Sequence, residues 1–452
     1  MAEEIKKEEV KKDRPRTGAI KTTETCREAG QLIKHFNAKA AEALKNGSPV
    51  AWVMVASLME ELCATMDISP VFTENYATAS ASRPGGIKML ETSEGDGYPQ
   101  GICSYARVGI GHAMLRKECG CVQPEWPLGG MADPTVILGS TNVCEPRYKW
   151  YQQLRRYQDV PFFCGEYSML KLQAGVNPAE VEKDVIAAAK KELIRCKDFL
   201  EKHTGRKFDP DRFMEVVKQG ERTRDAWWKC EEIRRAVPGP MPFEDMIGCF
   251  PIGYMYSAYA ESEAFFNKMY LELQDRVAKK LEVGPVGEKY RILWGWGIPP
   301  YGYLKLFNIM EEYGAIPVFG TSNTCYGKYT HDDFDQFTDP FERYLVGQFR
   351  STNHAIAGAA AMKVSPDVYD VLKFVKEYQC DGIVLNGTPS CRLRTLGQMA
   401  AIEMLKEQSD VPILIMENDM ADPRAINEAE IRSSIESFIQ VVDTAKRKRE
   451  GK

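Results

Sequence analysis

The stretch DGIVLNGTPSCRLRTLGQ, residues 381–398, decides the reading of the fold. Ile383, Val384 and Leu385 form a short apolar run between glycines, the pattern of a buried strand. A loop of small and polar residues follows, Thr388-Pro389-Ser390-Cys391. LGQMAAIEMLKEQ (396–408) then carries helical periodicity, and VPILIMEND (411–419) reads as another strand. Strand, loop, helix and strand in succession are the units of a parallel α/β sheet.

Upstream of this stretch the same alternation runs through YRILWGWGIPP (290–300), YLKLFNIMEEYGA (303–315), IPVFGTS (316–322) and DVYDVLKFVKEYQC (367–380), and a terminal helix is expected from about Glu428. An earlier set has the same character: PVAWVMVAS (49–57) before LMEELCATM (58–66), PTVILGSTNVC (134–144) before EPRYKWYQQLRRY (145–157), then VPFFCGEY (160–167). Between the two sets the chain is long, charged and helically periodic, most clearly at 178–203 and 261–282. The expected fold class is α/β, with two Rossmann-like parallel-sheet units separated by a mainly helical segment. Its parts are a charged N-terminal arm (1–20), a first α/β domain (21–170), a mainly helical region (171–287) and a second α/β domain (288–452). In open sheets of this kind, loops leaving the carboxyl ends of strands build the site. Chemistry is therefore expected after GICSYAR, VILGSTN, IPVFGTSN and GIVLNG.

At 452 residues and 44% apolar content the chain can bury two or three cores. Its 59 basic and 64 acidic residues leave a net charge of -5, with no basic excess to neutralise a phosphate backbone, so nucleic acid is not expected as a partner. Residues 1 to about 16 mix Lys and Glu with no apolar run behind them, which is not the pattern of a secretory signal. No stretch reaches the ~18 uninterrupted apolar residues of a membrane span. A cytoplasmic protein is expected. Thirteen scattered cysteines do not form the dense framework of a small secreted scaffold, so they are expected to be free thiols or metal ligands.

Three cysteines stand apart from apolar stripes, each among small or polar residues: Cys103 in GICSYAR, Cys144 in NVCEPR and Cys391 in NGTPSC. At strand-to-helix turns, backbone N–H groups and the helix dipole are expected to lower the thiol pKa and favour the thiolate that iron or zinc requires. Their separations of 41 and 247 residues match no local C-x-x-C pattern. On the residues alone, three-thiol ligation and ordinary burial of structural thiols both stay open.

The segments SRPGGIKMLETSEGDGYPQGICSYARVGIG, GSTNVCEPRYKWYQQL, DGIVLNGTPSCRLRTLGQ and PILIMENDMADPRAINEAEIRSSIESFIQ resemble the benzoyl-CoA reductase and 2-hydroxyacyl-CoA dehydratase family. The likeness spans roughly 40–167 and 291–442, and includes EELCATMDISPVF, with Glu61 and Leu62 in the places of a Glu-Leu motif. It implies that Cys103, Cys144 and Cys391 hold a 4Fe-4S cluster or a larger iron-sulfur cluster. It also implies a heterodimer with a homologous iron-sulfur subunit, an acyl-CoA substrate and low-potential one-electron chemistry. The chain has no G-x-x-x-x-G-K-[ST] motif, so ATP-hydrolysing iron-sulfur activator subunits are expected as further partners. The forms CSYAR and NVCEPRYKW look most like the larger subunit of ATP-dependent benzoyl-CoA reductase. Dehydration of a 2-hydroxyacyl-CoA and a pure electron-relay role are the alternatives.

Further candidates are weaker. Cys119 and Cys121 form a C-x-C pair short of ligands for a metal site. Cys325 follows an expected strand. His331 and His354 are candidate proton donors, since reduction consumes protons. Tyr98, Trp294, Trp296, Tyr301 and Tyr303 could line an aryl pocket but are more simply core. Arg107, Arg147, Arg392 and Arg394 flank the cysteines, to balance an electron-rich cluster or a CoA phosphate, or to pair with acids. Ser82–Gly86 is a turn that could approach a ligand.

Overall fold

The computed structural model describes residues 17–123, 125–167, 176–322 and 328–451. The first α/β unit contains α1 (Glu24–Lys45), β1 (Val50–Val53), α2 (Glu60–Thr65), β2 (Ser69–Phe72), α3 (Thr73–Ser80), α4 (Pro84–Gly95), α5 (Ser104–Cys119), β3 (Val136–Ser140), α6 (Glu145–Leu154) and β4 (Phe162–Gly165). A helical layer follows: α7 (Pro178–Thr204), α8 (Pro210–Ile233), α9 (Phe243–Ile247), α10 (Phe250–Tyr254) and α11 (Ala260–Ala278). The second unit begins with β5 (Tyr290–Trp294), α12 (Lys305–Glu312), β6 (Ala315–Gly320), α13 (Pro340–Thr352), α14 (Ile356–Met362) and α15 (Pro366–Glu377). It continues with β7 (Gly382–Gly387), α16 (Arg392–Thr395), α17 (Gln398–Gln408), β8 (Ile413–Glu417) and α18 (Glu428–Arg449).

Among the described residues the strands form two four-stranded parallel sheets, ordered β2-β1-β3-β4 and β6-β5-β7-β8. The central strands are buried from end to end, as in Val50–Val53 and Gly382–Gly387, because helices cover both faces. This is why they read as continuous apolar runs. In the helical layer Trp227 of α8 stacks on Phe266 of α11 with ring centroids 5.5 Å apart. Asn177, Asp209, Asp339 and Ser365 cap α7, α8, α13 and α15, each cap contributing about 1 kcal/mol. Residues 17–23 bridge the second unit and the helical layer. The Thr17 carbonyl accepts from the Lys305 N–H at 2.8 Å, and the Thr23 N–H and hydroxyl both donate to Asp245 at 2.8 Å. Most of the charged arm lies outside the described residues. Among the described residues no helix is long and apolar enough to cross a membrane.

One local expectation is corrected. GICSYAR does not follow a strand: it joins α4 to α5, with Cys103 as the residue that precedes α5. Residues 106–113 of α5 are buried without interruption, so the helix shows no amphipathic stripe. Gly109 and Gly111 make that burial possible, since a Cβ there would lie 2.2 Å from the Trp150 indole and 1.9 Å from the Met89 carbonyl oxygen. In the Ser82–Gly86 segment Pro84 opens α4, and a Cβ on Gly86 would meet the Ser80 carbonyl at 2.2 Å.

Candidate functional site

Each sheet reverses its strand order beside its first strand, between β1 and β3 and between β5 and β7. Such a switch point opens a crevice at the carboxyl ends of the strands. The two crevices share a cavity of about 440 Å³. Val55 and Ala56 after β1 and Val143 and Cys144 after β3 line one side; Ile298 and Tyr301 after β5 and Cys391 after β7 line the other. Cys103 faces the same cavity, and the helical layer supplies Arg224, Trp227, Phe250, Tyr254 and Met255.

The three thiols are free and half-buried, and each immediately precedes a helix: α5, α6 and α16. Their acidity contradicts the expectation of a lowered pKa. Burial pushes Cys103 up to about 12, against a smaller opposing pull from the Ala106 N–H. Burial also raises Cys144 against the Arg147 charge, and Cys391 against the N–H and charge of Arg394. The helix-end field is present, but desolvation outweighs it. A buried thiol of this kind becomes a thiolate when a metal supplies the missing positive charge. Among the described residues no three His, Cys, Asp or Glu side chains converge on one ion. Three thiols around one cavity fit an iron-sulfur cluster, in which each thiolate takes its own iron.

The flanking arginines pair with acids. Arg107 is buried against Glu94 and Asp422, Arg147 meets Glu74 at 2.8 Å, Arg392 meets Glu145 at 2.7 Å on the surface, and Arg394 lies 3.7 Å from Asp367. His354 lines the cavity, with Nδ1 2.9 Å from the Ser351 carbonyl and Nε2 3.0 Å from Asp370. His331 lies exposed beside Phe334, away from the cavity wall. Of the five aromatic candidates Tyr301 lines the cavity, Trp294, Trp296 and Tyr303 are core, and Tyr98 hydrogen-bonds around Tyr157. Cys119 and Cys121 are exposed at the far end of α5, whose length places Cys119 about 24 Å from Cys103. Cys325 lies outside the described residues.

Sequence reasoning passed over several cavity residues. Glu74, one residue into α3, is a buried carboxylate whose second oxygen accepts from the Val55 N–H at 3.3 Å. Arg224 sits 4.7 Å over the Tyr329 ring and donates to Glu61 at 2.7 Å, so the Glu of the Glu-Leu pair serves as the counter-ion of a cavity cation. Phe250 and Tyr254 stack at 5.1 Å. No local signal marked Glu74 or Arg224, because their partners Arg147 and Glu61 lie far along the chain.

The profile of the family described as 2-hydroxyglutaryl-CoA dehydratase, D-component, matches residues 57–442. The chain is 24% identical to lactoyl-CoA dehydratase subunit alpha of Anaerotignum propionicum, across 92% of this chain and 96% of that protein. It is 24% identical to the (R)-2-hydroxyisocaproyl-CoA dehydratase alpha subunit of Clostridioides difficile, across 93% and 96%. It is 25% identical to a benzoyl-CoA reductase subunit of Thauera aromatica, across 88% and 90%. All three relatives are named as subunits, and their names divide between reduction and dehydration of CoA thioesters. The matched span covers the second sheet, the first sheet apart from β1, and all three cavity thiols, and the chain belongs to the 2-hydroxyglutaryl-CoA dehydratase D-component family.

Proposed function

We propose that this chain is the larger iron-sulfur subunit of a cytoplasmic, ATP-dependent benzoyl-CoA reductase. Cys103, Cys144 and Cys391 would hold a 4Fe-4S cluster, or a larger one. The observation that carries the reading is the convergence of three free thiols on one aromatic-walled cavity at paired switch points. When bound, such a cluster supplies low-potential single electrons and an iron with an open coordination position.

The chain's own residues then have definable tasks. Trp227 and the stacked Phe250–Tyr254 pair offer flat apolar walls to an aryl ring and keep water from it. Reduction of the ring to a cyclic dienoyl-CoA takes two protons as well as two electrons. In this reading His354, with Nδ1 2.9 Å from the Ser351 carbonyl and Nε2 3.0 Å from Asp370, is the proton donor on the cavity wall. Arg147 and Arg224 bring positive charge to the cavity, where a thioester oxygen gains negative charge during reduction. A homologous subunit completes the heterodimer, and ATP-hydrolysing iron-sulfur activator subunits deliver the electrons.

The dehydratase relatives favour a second reading, redox-neutral loss of water from a 2-hydroxyacyl-CoA at the same thiol site. Iron, acid-labile sulfide and EPR on anaerobically purified wild type and Cys391→Ala, each with its partner, test the site. Loss of one cluster per heterodimer in the variant is expected; unchanged iron and spectrum would remove the assignment. Turnover of benzoyl-CoA against a 2-hydroxyacyl-CoA then decides between the two reactions.

A further inference from the structure

Cys103 and Cys391 come from different α/β units, yet the residues next to them touch. The backbone N–H of Ser104, which follows Cys103, donates to the hydroxyl oxygen of Ser390, which precedes Cys391, at 3.3 Å. The two serine hydroxyl oxygens are 3.4 Å apart, and Ser390 donates its single hydroxyl hydrogen to the Asp419 carboxylate. Both serines are buried. The other oxygen of Asp419 accepts from the N–H groups of Ala421 at 3.0 Å and Asp422 at 2.9 Å, so the carboxylate is itself locked in its turn.

That turn, Asp419–Arg424, touches both thiol-bearing segments again. Asp422 meets Arg107 of α5 at 3.1 Å, one turn beyond Cys103. Met420 and Ala421 pack with Ala81 against Cys103 and Cys391. The Met420 carbonyl accepts from the Tyr301 N–H at 3.1 Å, and a Cβ on Gly302 would lie 2.7 Å from Pro423. The Cys144 loop is tied differently: Asn142 Nδ2 donates to the Ala56 carbonyl at 2.9 Å, and Glu145, which follows Cys144, meets Arg392, which follows Cys391, at 2.7 Å on the surface.

We infer that Ser390 and Asp419, with Ser104 as their counterpart, are positioning residues that fix Cys103 and Cys391 relative to each other. They form a clasp between the units, through which the thiol site is completed when the units dock. This rests on the reading of Cys103, Cys144 and Cys391 as cluster ligands. Each serine is covalently adjacent to a thiol-bearing residue, so displacement of Ser390 moves Cys391 with it. Metal–ligand distances tolerate only about 0.2 Å, and loss of a hydrogen-bonded partner behind a ligand weakens metal retention about 10–100-fold.

The test uses the full chain purified anaerobically with its partner subunit, comparing wild type with Ser390→Ala, Asp419→Asn, Ser104→Ala and Cys103→Ala. Expected for Ser390→Ala and Asp419→Asn are wild-type iron and sulfide content, release of iron to a chelator about 10–100-fold faster, and shifted g values in the reduced state. Ser104→Ala keeps its backbone N–H donor and is expected to change release less than either. Wild-type release and g values in Ser390→Ala and Asp419→Asn would overturn the clasp. So would a melting temperature of the iron-free variants lowered by several degrees, which would mark the contact as a general stitch between units. Cys103→Ala is expected to lose the cluster; if it keeps wild-type iron, the thiol-site reading fails and takes the clasp with it.

Discussion

In the first α/β unit the chain leaves β1 through Ala56, with φ +58°; in the second it leaves β5 through Gly297, with φ +116°, each three residues past its strand. The resemblance extends further. Asn142 donates to the Ala56 carbonyl and Asn386 to the Ile298 carbonyl, both at 2.9 Å, so in each unit an Asn at the third strand holds the loop after the first. The third strand of each unit then leads to a cysteine that opens a helix: Cys144 after β3 and Cys391 after β7. The units part company between their second and third strands. The first places Cys103 there, and the second places His354 and Asp370, all facing the cavity. One frame used twice thus supplies two thiols by topology, and its variable crossover supplies a third thiol on one side and the hydrogen-bonded His354–Asp370 pair on the other.

The sharpest way to break this equivalence is to remove its two matched thiols. Cys144→Ala and Cys391→Ala are each expected to abolish cluster retention, read as iron and labile sulfide per heterodimer. Full iron in one variant alone would show that the matched loops do not share a task. The variable crossovers predict a different phenotype. His354→Asn is expected to keep its iron and lose turnover about 10²–10⁴-fold, the range of a lost general acid. Iron loss in that variant would move His354 from proton handling to ligation.

Gly297 probes the backbone half of the comparison. A Cβ there would lie 2.0 Å from the Asn386 carbonyl oxygen, on a residue whose φ suits only glycine. Gly297→Ala is expected to cost about 3 kcal/mol or more, because backbone must move to admit the methyl group. A shift in the midpoint of denaturant unfolding measures it. A loss under about 1 kcal/mol would mean that the loop after β5 yields more easily than its hydrogen bonds indicate.

Buried carboxyls next to a second carboxyl occur both in the first unit and where the helical layer meets the second. Burial, and then the charge of Glu61, raise Glu60 of the first unit from 4.5 to about 7. Between α9 and α12, burial and Glu311 raise Glu244 well above the usual carboxylate range. A carboxyl raised on folding binds its proton more tightly in the native state. Its stabilisation is complete below the unfolded value near 4.5 and is lost as pH rises through about 7. Glu60→Gln is expected to flatten part of the fall in stability between pH 5 and 8, by about 2–3 kcal/mol at the upper end, with the slope from Glu244 remaining. Parallel stability profiles for wild type and variant would show that Glu60 ionises freely in the fold.

Much of this frame was legible in the residues, for reasons that also explain what was not. Strands β1, β3, β5, β6, β7 and β8 are apolar runs set between helical stretches, so their alternation is local information. Strand β2 has four residues and runs directly into α3, leaving no punctuation between them. The loops of Cys144 and Cys391 follow long strands and could be placed. Cys103 stood out as a thiol among small residues, but its setting between two helices was hidden by the uniform burial of α5. The cavity charges Glu74 and Arg224 were out of reach because their partners Arg147 and Glu61 lie far along the chain. The thiol acidity was misjudged because a helix-end field can be read locally, whereas the desolvation that opposes it depends on all three segments meeting.

The smallest effect tests whether the two exits from the first strands are equivalent in energy or only in path. Ala56 occupies a left-handed conformation that costs an L-residue about 1–2 kcal/mol, whereas glycine adopts it without a steric penalty. Ala56→Gly relieves that cost but enlarges the conformational freedom of the unfolded chain, which takes back about 0.4–1 kcal/mol. The balance is a stabilisation of roughly 0.5 kcal/mol, read as a small rise in unfolding midpoint with an unchanged denaturant slope. It would make the first exit resemble the second, where glycine already removes the strain. A destabilised Ala56→Gly would mean that the methyl group is held by contacts on the cavity wall, and that the first exit is stiffened by a side chain where the second is relaxed by its absence.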